Sequence, residues 1–366
     1  MTPFEQQSIS QRLHLDVPLC FGLLVLCGLG LIILYSAGGE DIGILIRQAT
    51  RMAVAFVLMF LVAQLSPAVI ERWSLWIFLI GIAMLVTVLW VGHVGKGAQR
   101  WLDLGFFRFQ PSELMKLAVP MVIAWYLSHK TLPPNIGNIF IVGLMIIIPV
   151  GLIAKQPDLG TSLLVATAGL AVLFISGMRW KLMMAFAALC SLCAPILWHF
   201  MHDYQRRRVL TLFNPEQDPL GAGYHIIQSM IAIGSGGIYG KGWLNGTQSH
   251  LEFLPERSTD FIFAVYCEEF GLMGVLLLLS IYLFIVVRGL YIAMNAQQTY
   301  GKLLAAALTL TFFVYVFVNM GMVIGQLPVV GVPLPLISHG GTSMVTLMLA
   351  FGILMSIQTH RRILSD

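Results

Sequence analysis

Charged residues are scarce in this 366-residue chain: Asp, Glu, Lys and Arg together make up 10% of it, whereas soluble proteins carry about 25%. Hydrophobic residues account for 58%. This balance excludes a soluble globular domain and predicts an integral membrane protein. The net charge of +4 comes without a basic tail or an aromatic-interleaved basic patch, so no nucleic-acid partner is expected.

Several familiar signatures are missing as well. No GxxxxGK[ST] loop occurs, because Gly240-Lys241 lacks the following Ser or Thr, so no nucleotide cofactor is expected. Five cysteines lie in or beside apolar runs. Cys190 and Cys193 have redox or metal spacing, but no second ligand pair is near, which favours packed thiols. Residues 1–16 are polar and lead into an apolar run without a small-residue cleavage site, so a removable signal peptide is not predicted.

Apolar runs long enough to cross a bilayer, about 20 residues each, recur along the whole chain. They predict an all-α polytopic membrane protein, a single domain over residues 1–366, with ten transmembrane helices. The predicted helices are 17–36, 44–65, 73–93, 112–128, 136–154, 158–176, 181–201, 261–288, 302–324 and 343–358. An even number of crossings puts the terminal segments 1–16 and 359–366 on one side. The basic residues of that side, such as Arg12 and Arg361, predict that it is cytoplasmic.

The longest polar stretch, residues 202–260, separates the seventh and eighth predicted helices and is expected outside the cytoplasm. Asp260 ends this stretch, because it follows the polar run PERST and precedes the apolar run FIFAV. Asp260 should therefore lie where the chain re-enters the membrane. A carboxylate there is costly unless it is paired or used in chemistry, which makes Asp260 a candidate catalytic residue.

Residues 325–344, GQLPVVGVPLPLISHGGTSM, hold too many Pro and Gly residues to form a lipid-facing helix. They predict a re-entrant or cavity-lining segment before the tenth helix. Backbone amides around Ser338, Gly340 and Gly341 could form an anion-binding nest there. A plain hairpin between two helices explains the pattern equally well.

Charged residues also stand inside the predicted helices. Glu113 and Lys116 lie three residues apart on one helix face, which predicts an ion pair, either structural or substrate-binding. Arg47 and Arg51 share one face of the second helix, so anchoring to lipid headgroups is a weaker explanation for them than for an isolated arginine. Asp158 opens the sixth helix and could serve either as its cap or in chemistry.

Four long motifs occur in order: GKGAQRWLDLGFFRFQPSELMKL, KQPDLGTSLL, the loop from HDYQRRR to STDFIFAV, and LPVVGVPLPLISHGGTSM. Together they resemble the SEDS family of shape, elongation, division and sporulation proteins, and in particular its cell-elongation members. The resemblance runs from about residue 10 to residue 362. It implies a ten-helix peptidoglycan glycosyltransferase of the inner membrane that polymerises lipid II at the outer leaflet. It also implies a class B penicillin-binding protein, the elongation transpeptidase, as partner.

The resemblance assigns roles to particular residues. Asp260 matches the family's essential loop aspartate. The substrate-binding positions it implies are Arg47, Arg51, Arg100, Gln110, Glu113, Lys116, Asp158, Ser338, His339 and Gly340. One departure is His339, where many members have Tyr, and a ring with hydrogen-bonding capacity is kept.

The chemistry of joining two lipid-linked sugars suits these residues. A base must take the proton of an acceptor hydroxyl while a lipid diphosphate leaves, and Asp260 is predicted to be that general base. Arg47, Arg51, Arg100 and Lys116 could stabilise the departing diphosphate. A divalent cation, Mg²⁺ or Mn²⁺, held by carboxylates and the diphosphate is compatible with this chemistry, although the sequence has no ready-made metal motif.

Two other functions are compatible with parts of the pattern. A lipid II flippase would also have ten helices, intramembrane charges and a broken segment near residues 325–342, but its charges should lie near the midplane. A catalytically silent scaffold would leave Asp260, Glu113 and Lys116 unexplained. The sequence therefore favours the transferase over the flippase, and the flippase over the scaffold.

Overall fold

Thirteen α-helices and three short strands make up the part of the chain that the computed structural model describes, which is residues 13–95, 98–103, 108–201, 203–217, 221–250, 253–254 and 256–360. The helices are α1 (Val17–Ala37), α2 (Ile42–Ala63), α3 (Pro67–Val91), α4 (Pro111–Ser128), α5 (Ile136–Lys155), α6 (Leu159–Ile175), α7 (Trp180–Phe200), α8 (Asp203–Phe213), α9 (Ala222–Gly236), α10 (Thr247–His250), α11 (Ile262–Asn295), α12 (Thr299–Val323) and α13 (Thr342–Thr359). A 3₁₀ turn covers Pro215–Gln217.

Short Asx side chains start four of these helices. Each accepts a hydrogen bond from a backbone amide of the first turn, which satisfies a donor that the helix itself leaves unpaired. The caps are Asp16 for α1, Asp41 for α2, Asn135 for α5 and Asp158 for α6. Helices occur at all ten predicted positions. The largest difference at a helix start is at α3, which begins six residues early because Ser66-Pro67 starts a helix ahead of the polar Glu71 and Arg72.

Seven of the described helices are suited by length and composition to cross a bilayer: α1, α2, α3, α5, α11, α12 and α13. The apolar helix α6 is shorter, with 17 residues. Large apolar side chains are exposed on several of them, for example Phe21 at 66% and Trp90 at 84%. Such surface requires lipid, so the chain is a multi-pass membrane protein. Ten crossings stays a prediction, because α4, α6 and α7 are not in this set.

The interior of the bundle is built around α4 and α12. Almost every residue of α4 is buried, and this helix packs against α3, α6 and α12. The long helix α12 contacts α11, α6 and α4, while α2 lies along α13. There the two backbones approach closely, since a Cβ on Gly352 would lie 2.5 Å from the carbonyl oxygen of Met59. Polar side chains on α4 and α12 therefore meet protein and not lipid.

A small antiparallel sheet precedes α4, and the all-α prediction missed it. Its strands are β1 (His93–Gly95), β2 (Ala98–Asp103) and β3 (Arg108–Phe109), in the order β1-β2-β3. Val94 pairs with Gln99, and Leu102 pairs with Phe109. Strands of two to six residues are too short to show a clear period of two in the sequence. The sheet carries Arg100 and leads directly into Gln110.

The Pro/Gly segment, defined here as residues 325–341, has no regular helix or strand, as predicted. Its backbone turns at Gly325 and Gly331, with φ of +74° and +73°. Val332 and residues 334–338 of the segment are buried within the protein, and α1 packs directly on it, because a Cβ on Gly30 would lie 2.8 Å from the carbonyl oxygen of Leu336. Irregular backbone is tolerated at membrane depth only under such cover.

Residues 202–260, predicted as one long loop, contain α8, the 3₁₀ turn, α9 and α10. The loop is fastened to the start of α11 by Lys241, whose Nζ donates to Glu268 Oε1 at 2.7 Å. The same carboxylate oxygen accepts from Thr247 Oγ1 and from the amide of Gln248. Helix α11 runs to Asn295, beyond the predicted end at 288, and is interrupted only by the non-helical Gly271.

Candidate active site

Asp260 lies in the last turn of the long loop, directly before α11. The turn closes on Glu256, whose carbonyl oxygen accepts from the amides of Thr259 at 3.0 Å and Phe261 at 3.3 Å. The Asp260 side chain is partly exposed. Its Oδ2 lies 3.5 Å from the point where a Cβ on Gly331 would stand. The carboxylate therefore lies beside the backbone of the Pro/Gly segment.

Hydrogen bonds from the SHGGTS turn fasten the Pro/Gly segment to the Asp260 turn. Ser338 Oγ donates to the carbonyl of Thr259 at 2.6 Å and accepts from the amide of Leu334 at 2.8 Å. The amide of His339 donates to the carbonyl of Ser258 at 2.8 Å. These contacts hold Asp260 at a fixed place although it belongs to a loop.

The same contacts limit the predicted anion nest. The amide of Ser338 donates to Leu334 and the amide of His339 donates to Ser258, so both are committed within the protein. A nest at this turn could therefore use only the amides of Gly340 and Gly341. A Cβ on Gly340 would have nothing within 4 Å, which places this glycine at an open surface of the turn.

Arg51 joins α2 to this turn. Its Nη1 lies 3.1 Å from His339 Nε2, and its guanidinium lies against Gly341. Burial, together with the positive charges of Arg51 and Arg47, lowers the pKa of His339, so the ring is neutral at pH 7 and its Nε2 can accept from Arg51. Arg47 lies one turn earlier and is 3.8 Å from Asp41, with both side chains more than half exposed.

A second group of predicted residues surrounds Asp158. Its Oδ1 accepts from the amide of Thr161 at 3.2 Å and so caps α6. Its Oδ2 accepts from Gln110 Nε2 at 3.0 Å and lies 3.8 Å from Arg100 Nε. Asp158 therefore caps α6, which is one of the two predicted roles, and it also contacts Gln110 and Arg100. A role in chemistry stays a prediction. Arg100 also donates to the carbonyls of Gln156 and Pro157, which fixes its guanidinium at this end of α6.

Glu113 and Lys116 form the predicted ion pair. Lys116 Nζ lies 2.7 Å from Glu113 Oε1, and both side chains are less than 10% exposed. The ammonium also lies 4.9 Å from the centre of the Tyr315 ring, an additional cation–π contact. Glu113 Oε2 and the hydroxyl of Ser112 are buried without a hydrogen-bond partner in the described part of the chain.

A small cavity opens beside this pair, between α4, α12 and α13. Its polar lining comes from Glu113, Lys116, Thr311, Tyr315, Ser343 and Thr346, and the rest is apolar. An apolar space with a few convergent polar groups is the usual form of a small-molecule or lipid site. The cavity begins close to the SHGGTS turn, because Ser343 and Thr346 belong to the first turns of α13.

The two groups of residues meet through the Pro/Gly segment. Gly331 lies beside the carboxylate of Asp260, and its neighbour Val330 touches the start of α6, where a Cβ on Gly160 would lie only 2.6 Å from the Val330 carbonyl oxygen. Asp158 caps that same helix. The Asp260 turn and the start of α6, which Asp158 caps, thus lie against the same segment.

Three polar residues of this region escaped the sequence analysis. Asn319 Nδ2 donates to the carbonyl of Asp260, Gln48 Nε2 donates to the carbonyl of Ser338, and Tyr315 lies over Lys116. The signal that could have found Asn319 and Gln48 is a lone amide within an apolar helix, which is costly in a membrane unless it is hydrogen-bonded.

The described residues show no protein-built metal site. Nowhere in the described ranges do three or more His, Cys, Asp or Glu side chains come together in a way that could hold a metal ion. Among the predicted site residues, the Asp260 carboxylate lies beside the Pro/Gly segment and Asp158 contacts Gln110 and Arg100.

Known proteins are similar to this chain in sequence and in structure. The family model FTSW_RODA_SPOVE, described as cell cycle protein, matches residues 11–363. Peptidoglycan glycosyltransferase MrdB of Escherichia coli K12 is 54% identical over 355 residues, which cover 97% of this chain and 96% of that protein.

Two solved structures are similar throughout their length. One, described as "Structural coordination of polymerization and crosslinking by a peptidoglycan synthase complex", has a TM-score of 0.83 at 33% identity and covers 95% of this chain and 98% of that chain. The Rod shape determining protein RodA of Thermus thermophilus has a TM-score of 0.73 at 27% identity, with 95% and 97% covered. The chain therefore belongs to the FtsW, RodA and SpoVE family of cell cycle proteins, the SEDS family that its motifs resemble.

Proposed function

We propose that this chain is a peptidoglycan glycosyltransferase that polymerises lipid II during cell elongation, with Asp260 as the general base. The activity is supported by the E. coli relative named for it, which matches almost the whole chain. The assignment of Asp260 rests on the position of its side chain. The carboxylate remains partly exposed, while the turn that bears it is fastened to the buried Pro/Gly segment.

The proposed step is a displacement at the anomeric carbon of the donor sugar. The acceptor hydroxyl oxygen forms the new glycosidic bond while the bond to the diphosphate breaks, and undecaprenyl diphosphate leaves. The hydroxyl proton passes to the Asp260 carboxylate. A base in hydrogen-bonding reach of that hydroxyl typically contributes about 10²–10⁴-fold in rate.

Positive charge near the SHGGTS turn suits the departing diphosphate. Arg51 is held against Gly341 and His339, and Arg47 is exposed one turn away, so both can meet an anion. Arg100 is about one-third exposed and retains part of its surface for a ligand. Lys116 is less suited to this role than the sequence implied, because Glu113 neutralises it within the bundle.

The remaining predicted residues then take supporting positions. Gln110 and Asp158 orient Arg100, while Ser338 and His339 hold the Asp260 turn. Gly340 leaves the surface of the turn open to a ligand. The Glu113–Lys116 pair lines the cavity between α4, α12 and α13, where part of the lipid-linked substrate could lie.

We also propose that a divalent cation, Mg²⁺ or Mn²⁺, acts mainly as a ligand of the substrate diphosphate. No group of three protein ligands for it exists among the described residues, so the phosphate oxygens would supply most of its coordination. Chelation should therefore lower polymerisation, and millimolar rather than micromolar Mg²⁺ should restore it. Full activity in EDTA would contradict this.

The membrane location and the partner follow from the same family. We propose that the chain lies in the inner membrane with residues 1–16 and 359–366 in the cytoplasm and residues 202–260 outside. One similar structure belongs to a complex that joins polymerisation to crosslinking. A class B penicillin-binding protein should accordingly co-purify with this chain and raise its polymerisation rate.

A lipid II flippase is the second candidate, and the buried ion pair of α4 is the observation in its favour. Charged pairs inside a helix bundle are typical of transport pathways. A flippase that does not polymerise would leave purified lipid II unextended in detergent, where no leaflet separates substrate from enzyme.

The decisive experiment replaces Asp260 in the purified complex and follows glycan chains made from lipid II on a gel. Asp260→Asn keeps the size of the side chain but cannot take a proton at neutral pH, so polymerisation should be lost while folding and partner binding remain. Asp260→Glu retains the base but moves it by one methylene, and a misplacement near 1 Å can cost about 10²-fold.

The matched control is Asp203→Asn, which removes an exposed aspartate of the same loop and should leave the rate unchanged. Long glycan chains from a well-folded Asp260→Asn variant, with no other polymerase in the tube, would remove Asp260 as the base. A loss of activity that only parallels a loss of folded protein would make Asp260 a structural residue.

A further inference from the structure

Asn319 is a completely buried amide near the end of α12. Apolar residues surround it in the sequence, which reads YVFVNMGMV from Tyr315 to Val323. A polar side chain inside a membrane protein costs several kcal/mol unless it is hydrogen-bonded. Its presence therefore requires specific partners.

Both partners of Asn319 are backbone carbonyls near the proposed catalytic residue. Nδ2 donates to the carbonyl oxygen of Asp260 at 2.9 Å and to that of Val332 at 2.7 Å. An Asn side chain has two N–H donors and one acceptor oxygen, and only the donors can face two carbonyls. The orientation of the amide is thus fixed by its surroundings and both donors are used.

These two carbonyls belong to the two segments that meet where the Asp260 carboxylate lies beside Gly331. Asp260 bears the carboxylate, and Val332 follows Gly331, the residue beside which Asp260 Oδ2 lies. A single side chain therefore ties the backbone that carries the carboxylate to the backbone that the carboxylate faces. Ser338 fastens the neighbouring peptide through the carbonyl of Thr259, whereas Asn319 donates to the carbonyl of Asp260 itself.

We propose that Asn319 is a positioning residue for Asp260, which sets the distance and direction of the carboxylate relative to the Pro/Gly segment. The inference rests on the proposed function, since it assigns Asn319 a part in glycosyl transfer through Asp260. Asn319 touches no reacting atom in this scheme. Its removal takes away the Nδ2 donor that the two carbonyls share and frees the Asp260 turn to shift, and a shift near 1 Å can cost about 10²-fold in rate.

The test compares Asn319→Leu with Tyr300→Phe in the purified complex with its penicillin-binding partner. Leu is similar in size to Asn and donates no hydrogen bond. Tyr300→Phe is the matched control, because it removes a buried hydrogen bond of the same helix, 2.9 Å to Ser74 Oγ, at the opposite end of α12. The turnover number and the KM for lipid II are measured together with thermal stability.

Asn319→Leu is expected to lower kcat by about 10–10²-fold with KM changed by less than about twofold. Tyr300→Phe should lower the unfolding temperature without this fall in kcat. In an Asp260→Glu background, where the carboxylate is already misplaced, adding Asn319→Leu should reduce kcat much less than it does in the wild type, because residues that act through one another are not additive.

If Asn319→Leu does not fold, Asn319→Gln carries the test, since it keeps both donors on a longer stem and should lower kcat with KM unchanged. The inference is overturned by a folded variant with wild-type kcat, by full additivity with Asp260→Glu, or by losses that follow only the folded fraction. Failure of the proposed function looks different: either the wild-type chain makes no glycan from purified lipid II, or Asp260→Asn is active, whatever the Asn319 variants do.

Discussion

The Glu113–Lys116 pair offers a sharp test of how the interior of the bundle is stabilised. The two side chains are 6–7% exposed and their charged atoms are 2.7 Å apart on one face of α4. Glu113→Gln and Lys116→Met each remove one charge and nearly preserve volume. Each variant leaves the other charge buried without its partner.

Breaking a buried pair in this way costs about 3–5 kcal/mol. The loss for Glu113→Gln should lie near the lower end of that range, because the Lys116 ammonium keeps the Tyr315 ring at 4.9 Å, and a desolvated cation–π contact is worth about 2 kcal/mol. The double variant leaves no charge behind. It should lose less stability than Lys116→Met alone, which gives a coupling of about 2 kcal/mol or more between the two positions.

Unfolding in mixed micelles with increasing sodium dodecyl sulfate measures these free energies, and polymerisation of lipid II is followed in parallel. If the pair only stabilises α4, the double variant regains activity together with stability. If the pair contacts substrate, the double variant stays impaired although it is stable. Single variants as stable as the wild type, with additive effects in the double, would refute the reasoning.

Three further outcomes are expected. The pKa of His339 is lowered by burial and by Arg51, so the unfolded chain takes up a proton at a higher pH than the folded protein does. Stability should therefore fall as the pH drops below about 6.5 and should level off below the lowered pKa of the folded state. The stability of His339→Gln, measured by unfolding at a series of pH values, should lack this component. Gly160→Ala would place a methyl group 2.6 Å from the Val330 carbonyl oxygen and should cost about 1–3 kcal/mol, whereas Gly151→Ala in α5 meets nothing within 4 Å and should not destabilise; equal unfolding temperatures would contradict the close approach. Reporter fusions at Ser8 and Asp366 should be cytoplasmic and one at Thr247 extracytoplasmic, and termini on opposite sides would contradict ten crossings.

The sequence alone determined the class of the protein and the position of its ten long apolar helices, but not the helices α8, α9 and α10 of the long loop. Runs of apolar residues have one stable solution in lipid, since every backbone hydrogen bond must be made within the segment. The same rule predicted an irregular segment at residues 325–344, of which 342–344 belong to α13. Helical spacing was enough to predict the ion pair of Glu113 and Lys116, because residues three apart lie on one face whatever surrounds the helix.

Contacts between distant segments were decided only by the tertiary structure. Arg100 meets Asp158 across 58 positions, and Asn319 meets Asp260 across 59, and no local pattern encodes either pair. The fold also decided which cations keep their charge available: Lys116 and Lys241 are neutralised by Glu113 and Glu268. Periodicity shows which face a residue occupies on its own helix. Its partner depends on how helices pack, and that is settled by side-chain volumes and close backbone approaches throughout the bundle.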